Sequence, residues 1–325
     1  MNITAPVVIS CGEPAGIGPE VSVGAWQALK SEIPMAWVGD PDHLPQGTPV
    51  RIIENLSEAQ NAVGEALPVL AQSFAGPANA GVPSPENAQG VIDAVKTCVD
   101  MVMSGQAAAL CTAPIHKKAL IDGAGFSYPG HTEFLQALCG EDGRAVMMIA
   151  SEELKVVPCT IHIALEDVVE TLTPDLLRQT IEITHASMVQ LFGITQPRIA
   201  VAGLNPHAGE GGAMGRQELD WINDLISDLR REGFNAIGPL PADTMFHARA
   251  RENYDVAIGM YHDQVLIPAK TLDFDRGVNV TLGLPIIRTS PDHGTALDIA
   301  GKGLANPSSM IEAIKLAAVM ADRKD

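Results

Sequence analysis

The stretch Ile199–Gly212, IAVAGLNPHAGEGG, contains the pattern from which the fold can be inferred. It begins with a continuous apolar run and leads into a glycine-rich loop that carries His207. The next segment, Arg216–Glu232, has apolar residues at helical spacing from Leu219 to Leu229. A continuous apolar run bounded by turn residues is typical of a parallel strand that is buried on both faces. This stretch therefore predicts one unit of buried strand, loop and helix.

The same unit recurs along the chain. Two more helices are predicted, one over Pro85–Met103 behind the N-cap candidate Ser84 and one over Thr173–Leu191. The alternation of strands and helices predicts an α/β protein with a mostly parallel sheet and helices on both faces. The predicted strands are the apolar runs Pro6–Cys11, Met35–Val38, Leu67–Ala71, Ala107–Cys111, Ala145–Ala150, Val156–Ile161, Arg198–Leu204, Val256–Met260 and Val278–Leu282.

Composition and charge exclude several classes of protein. Of 325 residues, 46% are hydrophobic, which is enough to form a large core and argues against disorder. The 39 acidic and 21 basic residues give a net charge of −18, which disfavours binding to nucleic acids and to anionic membranes. No signal peptide and no apolar stretch of about 18 residues is visible. The five cysteines are scattered without a C-x-x-C pair, so a reduced, cytoplasmic protein is predicted.

Three of the apolar runs lead into a histidine: His162, His207 and His262. Because the carboxyl ends of parallel strands meet at one edge of a sheet, we expect these three side chains to converge. Imidazole is a common ligand of transition metals, and three histidines leave a coordination position open for water or substrate. Such a site suits Zn²⁺, Co²⁺ or Mn²⁺ better than Mg²⁺. The alternative is that each histidine only caps its own strand by a hydrogen bond.

A glycine-rich loop, Gly12–Glu20, follows the first predicted strand and opens a helix. Its spacing, G-x-x-x-G-x-G, differs from the usual dinucleotide-binding and P-loop signatures. A helix N-terminus attracts anions, but Glu13 and Glu20 would repel a phosphate. The sequence leaves both a structural turn and a binding loop open here.

The basic residues are few, so their positions are informative. Lys270, Arg288 and the helix start at His131-Thr132 are candidate groups for binding a phosphate or carboxylate. Arg276 is expected to be a solvated surface residue, and His116-Lys117-Lys118 an exposed helix start.

Eight motifs together resemble the 4-hydroxythreonine-4-phosphate dehydrogenase family of pyridoxal phosphate biosynthesis, over about Gly12 to Lys315. The segment His293–Pro307 is also similar to the cofactor loop of isopropylmalate and isocitrate dehydrogenases, with Leu297 where those enzymes have proline. The motifs are GEPAGIGPE, TAPIHK, GHTEF, GLNPHAGEGG, PLPADT, MYHDQ, FDRGVNVTLGLPIIRTS and DHGTALDIAGKG.

The resemblance implies a two-lobed fold like that of isopropylmalate dehydrogenase, with the active site in the cleft between the lobes. Lobe A, on the cofactor side, would comprise residues 1–125 and 285–325. Lobe B, with the metal, the substrate and the dimer contacts, would comprise residues 126–284. A homodimer whose partner chain completes the active site is also implied.

The resemblance further implies an activity, which is the NAD(P)-dependent oxidation of 4-phosphohydroxy-L-threonine with decarboxylation to 3-amino-2-oxopropyl phosphate. The metal ligands that it implies are His162, His207 and His262. The substrate contacts that it implies are His131, Thr132, Lys270, Asn279 and Arg288.

Other roles follow from chemistry and from the cofactor loop. Asp263 and Asp243 are candidates either for the general base or for orienting a histidine, and Lys270 for holding the anionic substrate. A carboxylate at Asp298 would repel a 2′-phosphate, so NAD is expected over NADP, with a divalent metal (Zn, Co, Mn or Mg) as second cofactor. The predicted cofactor-binding residues are His293, Gly294, Thr295, Asp298 and Asn306.

Three other functions stay open at the level of sequence. One is a related dehydrogenase that acts on phosphorylated threonate or erythronate. Another is a three-histidine metal hydrolase, which would leave His293–Pro307 without a role. The last is a phosphate-binding regulatory module without a metal.

Overall fold

The computed structural model describes residues 5–62, 64–140 and 144–324. These residues form two compact units: unit 1 is Met1–Ala145 with Val278–Asp325, and unit 2 is Val146–Gly277. These bounds differ from the predicted ones, which placed the boundaries between the two lobes after residues 125 and 284. The helix that follows residue 125 packs inside unit 1, where Phe134 contacts Phe126 with ring centroids 5.2 Å apart. The segment from Val278 belongs to unit 1 because its strand Arg288–Pro291 pairs with the strand Ala109–Thr112 of that unit.

Strands and helices alternate along the chain as predicted, and each of the nine apolar runs contains a strand. The strands are β1 (Val7–Ser10), β2 (Met35–Gly39), β3 (Val50–Ile52), β4 (Leu67–Ala71), β5 (Ala109–Thr112), β6 (Val146–Ala150), β7 (Lys155–Thr160), β8 (Ile199–Ala202), β9 (Ala236–Leu240), β10 (Val256–Tyr261), β11 (Val278–Leu282) and β12 (Arg288–Pro291). The α-helices are α1 (Gly18–Leu29), α2 (Ala88–Met103), α3 (Lys117–Ala124), α4 (His131–Cys139), α5 (Val168–Thr171), α6 (Pro174–Gln190), α7 (Asn223–Arg231), α8 (Ala248–Arg251), α9 (His262–Leu272) and α10 (Ser308–Lys324).

Unit 1 contains a sheet with the strand order β3-β4-β2-β1-β5-β12-β11. All neighbours in it run parallel except β11 and β12. Every residue of β1 is buried, and successive side chains point to opposite faces, so both faces of the sheet are covered. Helices α2 and α10 pack against the central strands. This explains why the strands appear in the sequence as continuous apolar runs.

Unit 2 contains strands in the order β6-β7-β10-β8-β9, with β6 antiparallel to β7 and the others parallel. The register places Thr160, the last residue of β7, beside Tyr261, the last residue of β10. Helix α9 starts directly after β10 and packs back against β7 and β10. Within the residues that the structure describes, none of the helices has both the length and the apolar character needed to cross a membrane.

Candidate active site

In unit 1, three loops meet at the carboxyl ends of the neighbouring strands β1, β5 and β12. The backbone amide of Glu13, after β1, donates to the carbonyl oxygen of Pro114, after β5, at 2.8 Å. The amide of Ile17 donates to the carbonyl oxygen of Thr295, after β12, at 2.9 Å. This is the edge at which open α/β sheets bind ligands.

The glycine-rich loop Gly12–Glu20 packs tightly against the predicted cofactor segment. A Cβ atom on Gly16 would lie 2.8 Å from the carbonyl oxygen of Thr295. The Glu20 carboxyl group accepts a hydrogen bond from the amide of Gly301. The Glu13 carboxyl is buried, accepts from the amide of Ala15 at 3.0 Å, and has its pKa raised by that burial. The structure thus accounts for this loop as a support for residues 293–301.

Arg288 is a buried basic residue of unit 1 and is only 4% exposed. Its Nε and Nη2 atoms donate to Thr112 Oγ1 at 3.2 and 2.6 Å, and Nη1 donates to Thr281 Oγ1 at 2.9 Å. These partners are neutral, and no carboxylate of the described residues pairs with the guanidinium. Burial lowers the pKa of Arg288 to about 10, so the group stays charged at neutral pH. A buried charge without a counter-ion is costly, which suits a site that is filled by an anionic ligand.

Three predicted site residues of unit 1 are among the described residues with a buried polar atom that lacks a hydrogen-bond partner. These atoms are His131 Nε2, Asn279 Oδ1 and His293 Nε2. Burial, together with the charge of Arg288, lowers the pKa of His131, so its imidazole is neutral at neutral pH. Such unsatisfied groups are rare in folded proteins and indicate places where a ligand could bind. Thr132 follows His131 in the first turn of α4 and is half-buried.

The predicted cofactor segment of unit 1 divides into two parts. Around Gly294 there is open space, with no heavy atom within 4 Å of a Cβ built there, and Asp298 is exposed. Asn306 also makes a structural contact, because its Oδ1 atom accepts from the backbone amide and the hydroxyl of Ser308 at 3.0 and 2.7 Å, and its predicted cofactor role stays a prediction. Asn306 therefore caps the start of α10.

In unit 2, two of the three histidines after strands come together. The rings of His162 and His262 have centroids 5.5 Å apart. Both line a cavity of about 270 Å³. They are neighbours because β7 and β10 are adjacent, and Thr160 Oγ1 ties the two strands by donating to the carbonyl oxygen of Met260 at 2.8 Å. The other lining residues are Thr160, Ile163, Leu165, Val168, Tyr261 and Asp263.

His207 does not join this pair. Its Nδ1 atom lies 3.3 Å from a carboxyl oxygen of Glu210, and its side chain is 61% exposed. No group of three or more histidine, cysteine, aspartate or glutamate side chains in the described ranges could hold a metal ion. The expected convergence of three histidines is therefore wrong within these residues. The reason is distance along the chain, since His207 follows β8 by five residues that turn it toward Glu210, whereas the other two lie within two residues of their strands.

The structure places both candidate general bases at one cavity of about 530 Å³, which Asp243 and Asp263 line together. Asp263 Oδ1 is 2.7 Å from His262 Nδ1. This contact is the one expected of a residue that orients a histidine. Lys270 lies on α9, with its ammonium 5.7 Å from the ring centre of Phe274.

Three residues important to these sites were missed from the sequence. Thr112 and Thr281 hold Arg288, but nothing distinguishes them from ordinary strand threonines. Gln264 accepts from the amide of Met260 at 2.7 Å and donates to the carbonyl oxygen of Gly203 at 2.8 Å. It thereby links the ends of β10 and β8. Its position directly after His262 and Asp263 is the sequence feature from which its role could have been predicted.

A family model described as "Pyridoxal phosphate biosynthetic protein PdxA" matches residues 23–317 of the chain. The chain belongs to the PdxA family. Among PdxA relatives, the 4-hydroxythreonine-4-phosphate dehydrogenase of Roseobacter denitrificans is 69% identical over 320 residues, covering 98% of both chains. That of a Ruegeria species is 63% identical over 315 residues, covering 97% of this chain and 96% of the relative.

Solved structures agree with the PdxA assignment. The crystal structure of 4-hydroxythreonine-4-phosphate dehydrogenase from Klebsiella pneumoniae superposes with a TM-score of 0.88 at 35% identity, covering 99% of both chains. Isocitrate dehydrogenase from Methylococcus capsulatus, at 14% identity and a TM-score of 0.51, covers 99% of this chain and 87% of its own. That likeness concerns the fold alone, and it confirms the predicted α/β architecture of the isopropylmalate and isocitrate dehydrogenase type.

Proposed function

We propose that the chain oxidises 4-phosphohydroxy-L-threonine with NAD⁺ and decarboxylates the product to 3-amino-2-oxopropyl phosphate. In this reaction the alcohol carbon gives up a hydride and the hydroxyl group a proton. The resulting β-keto acid then loses CO₂, and the carbon that carried it takes up a proton. The names of the two relatives at 69% and 63% identity support this substrate, and they give no support to a metal hydrolase.

The observation that carries the proposal is the buried guanidinium of Arg288, which faces only neutral partners in the described chain. A phosphate ester would supply the missing counter-charge and can accept two parallel hydrogen bonds from an arginine. The neighbouring His131 is neutral and has a free Nε2 atom, so it can bond a phosphate oxygen without adding charge. The N-terminus of α4, at His131-Thr132, adds favourable backbone dipoles. Lys270 and Asn279 are proposed to contact the rest of the substrate.

The donor atoms of unit 2 fit a divalent metal that prefers nitrogen ligands. His162 and His262 are neighbours, and the contact of Asp263 with His262 Nδ1 leaves Nε2 of that ring as the donor. We propose that His207 is the third ligand, supplied by a second copy of the chain in a homodimer. Zn²⁺, Co²⁺ and Mn²⁺ suit these ligands better than Mg²⁺.

Either Asp243 or Asp263 is proposed to take the hydroxyl proton, because both line the same cavity of unit 2. The contact between Asp263 and His262 favours a positioning role for Asp263. Asp243 is then the better candidate for the base.

For the nicotinamide cofactor, His293, Gly294, Thr295 and Asp298 are the proposed contacts. The unpartnered Nε2 atom of His293 and the open space at Gly294 support this assignment. The exposed carboxylate of Asp298 favours NAD over NADP. When bound, NAD⁺ supplies the hydride acceptor and the divalent metal supplies a Lewis acid for the substrate oxygen. We also propose a reducing, cytoplasmic location, on the scattered spacing of the five cysteines without a C-x-x-C pair.

The test compares three phosphorylated acids as substrates of the purified protein, by the absorbance of reduced nicotinamide. We expect 4-phosphohydroxy-L-threonine to have a higher kcat/KM than phosphorylated threonate or erythronate, and a chelator to abolish turnover. A preference for either of the other two acids would assign the related dehydrogenase instead. No reduction of NAD⁺ or NADP⁺ with any of them would refute the proposal.

A further inference from the structure

Glu218 is a buried carboxyl group in unit 2 that the proposed reaction does not use. It is 2% exposed and begins the π-helical turn Glu218–Ile222, directly before α7. One carboxyl oxygen accepts from the backbone amide of Asn205 at 2.8 Å. The other accepts from the side-chain amide of Asn205, also at 2.8 Å. Glu218 thus holds both the backbone and the side chain of the residue two positions before His207.

Three glycines make room for this contact. A Cβ atom on Gly209 would lie 2.7 Å from a carboxyl oxygen of Glu218. One on Gly215 would lie 2.2 Å from the side chain of Asn205, and one on Gly203 would lie 2.8 Å from the Cα atom of Ala208. The loop that carries His207 is therefore built closely around the Asn205–Glu218 pair, with no space for larger residues at these positions.

The same loop has an unfavourable backbone conformation. Three of its non-glycine residues, His207, Ala208 and Glu210, have positive φ angles of 53°, 51° and 40°. Residues with a Cβ atom avoid this left-handed region, and such a conformation persists only where the surroundings enforce it. Two backbone hydrogen bonds stay inside the loop, from Ala208 to Asn205 at 3.0 Å and from Met214 to Gly209 at 3.1 Å, both of ordinary length. The two bonds from Asn205 to Glu218, both at 2.8 Å, anchor the loop to a residue that is only 2% exposed.

We propose that Glu218 is a positioning residue for His207: it acts through Asn205 to keep the strained loop in the conformation that presents the imidazole. This inference rests on the proposed function, in which His207 is a metal ligand. Removal of the carboxyl group should then weaken metal binding although every ligand is still present. Substitutions of residues that support metal ligands typically lower metal affinity roughly 10–100-fold.

The experiment titrates the metal-free, full-length protein with Co²⁺ and follows both the affinity and the visible absorption spectrum. The variants are Glu218→Gln, which keeps the volume but presents one acceptor oxygen, and His207→Ala. The matched control is Asp220→Asn in the same turn, because Asp220 makes only a surface ion pair with Arg216, at 3.0 Å. We expect Glu218→Gln to bind Co²⁺ at least about tenfold more weakly, to reach the wild-type spectrum at saturation, and to recover kcat with excess metal. The control Asp220→Asn should have the Co²⁺ affinity and the absorption spectrum of the wild type.

Three outcomes would overturn the proposal. Wild-type Co²⁺ affinity in Glu218→Gln, together with weakened binding in His207→Ala, overturns the positioning role alone. Wild-type affinity in both variants overturns the ligand assignment and the positioning role with it. If Glu218→Gln does not fold, Asn205→Ala decides, because it removes one of the two contacts with Glu218. In that variant a weaker Co²⁺ affinity supports the proposal and an unchanged affinity contradicts it.

Discussion

Arg288 donates two hydrogen bonds to one hydroxyl oxygen, that of Thr112, at 3.2 and 2.6 Å. The two residues are 176 positions apart, and they meet because β12 lies beside β5. The contact holds a buried cation in a fixed orientation without neutralising it. Since a neutral hydroxyl cannot replace a counter-ion, we attribute the charge balance of this site to the anionic group of the substrate.

This account predicts that phosphate stabilises the protein through Arg288. Inorganic phosphate should raise the Tm of the wild type and should not raise that of Arg288→Met. Without phosphate, the variant should be as stable as the wild type or more so, because a buried unpaired charge has been replaced by an apolar chain of similar length. Thermal unfolding with and without phosphate checks both points. Equal phosphate shifts in the two proteins would contradict the account.

Thr112 is expected to contribute to stability as well as to positioning. Thr112→Val removes the acceptor of two buried donors of Arg288, which should lower the free energy of unfolding by about 1–3 kcal/mol. Thr112→Ser keeps the hydroxyl group and is the matched control. Its free energy of unfolding should fall by less than that of the valine variant. Urea unfolding monitored by circular dichroism measures both. A valine variant as stable as the serine variant would show that the contact is unimportant.

The lowered pKa of His131 predicts a pH dependence of stability. Below its ordinary pKa of 6.5, this histidine is protonated in the unfolded chain but still neutral in the folded one, so the unfolded state binds more protons. Stability should therefore fall as the pH drops below about 6.5, by up to about 1.4 kcal/mol per pH unit from this group. His131→Gln should show a weaker dependence in that range. The same slope in both proteins would mean that His131 titrates normally.

The contact between Gly16 and Thr295 predicts an effect on the cofactor. The methyl group of Gly16→Ala would lie 2.8 Å from the carbonyl oxygen of Thr295 and should displace the proposed cofactor segment. We expect KM for NAD⁺ to rise several-fold and KM for the substrate to change little. Steady-state kinetics with each substrate varied in turn measure the two constants. A rise in the substrate KM alone would separate this loop from cofactor binding.

Much of the fold could be predicted, because strands buried on both faces leave continuous apolar runs in the sequence. The strands that were missed lack this signal. β3 contains the exposed Arg51 and Ile52, β9 contains a glycine and a proline, and β12 begins with the buried Arg288. An arginine interrupts a run of apolar residues, so a strand that begins with a buried arginine is not predicted from such a run.

The predicted helix Arg216–Glu232 shows a second limit of prediction from sequence. The apolar spacing of Arg216–Glu232 predicts that Leu219 is buried, yet Leu219 is 46% exposed and Glu218 is buried. The π-helical turn Glu218–Ile222 shifts the phase of the helix, and the sequence pattern carries no sign of it.

The proximity of His162 and His262 could be predicted from their positions after strands, whereas the site residues proposed for unit 1 came from motifs and stay a prediction. The position of His207 could not be predicted, because it depends on a loop with a left-handed backbone conformation, which a pattern of apolar residues does not encode.

The most direct test of the central claim is the kcat/KM for 4-phosphohydroxy-L-threonine, from NADH formation, in the wild type and in Arg288→Met. The loss of charged hydrogen bonds to the substrate is expected to cost about 2 kcal/mol or more, which corresponds to at least about a 30-fold fall in kcat/KM. Arg276→Met, which removes a surface arginine paired with Asp273, should leave kcat/KM unchanged. A kcat/KM in Arg288→Met equal to that of the wild type would contradict the account.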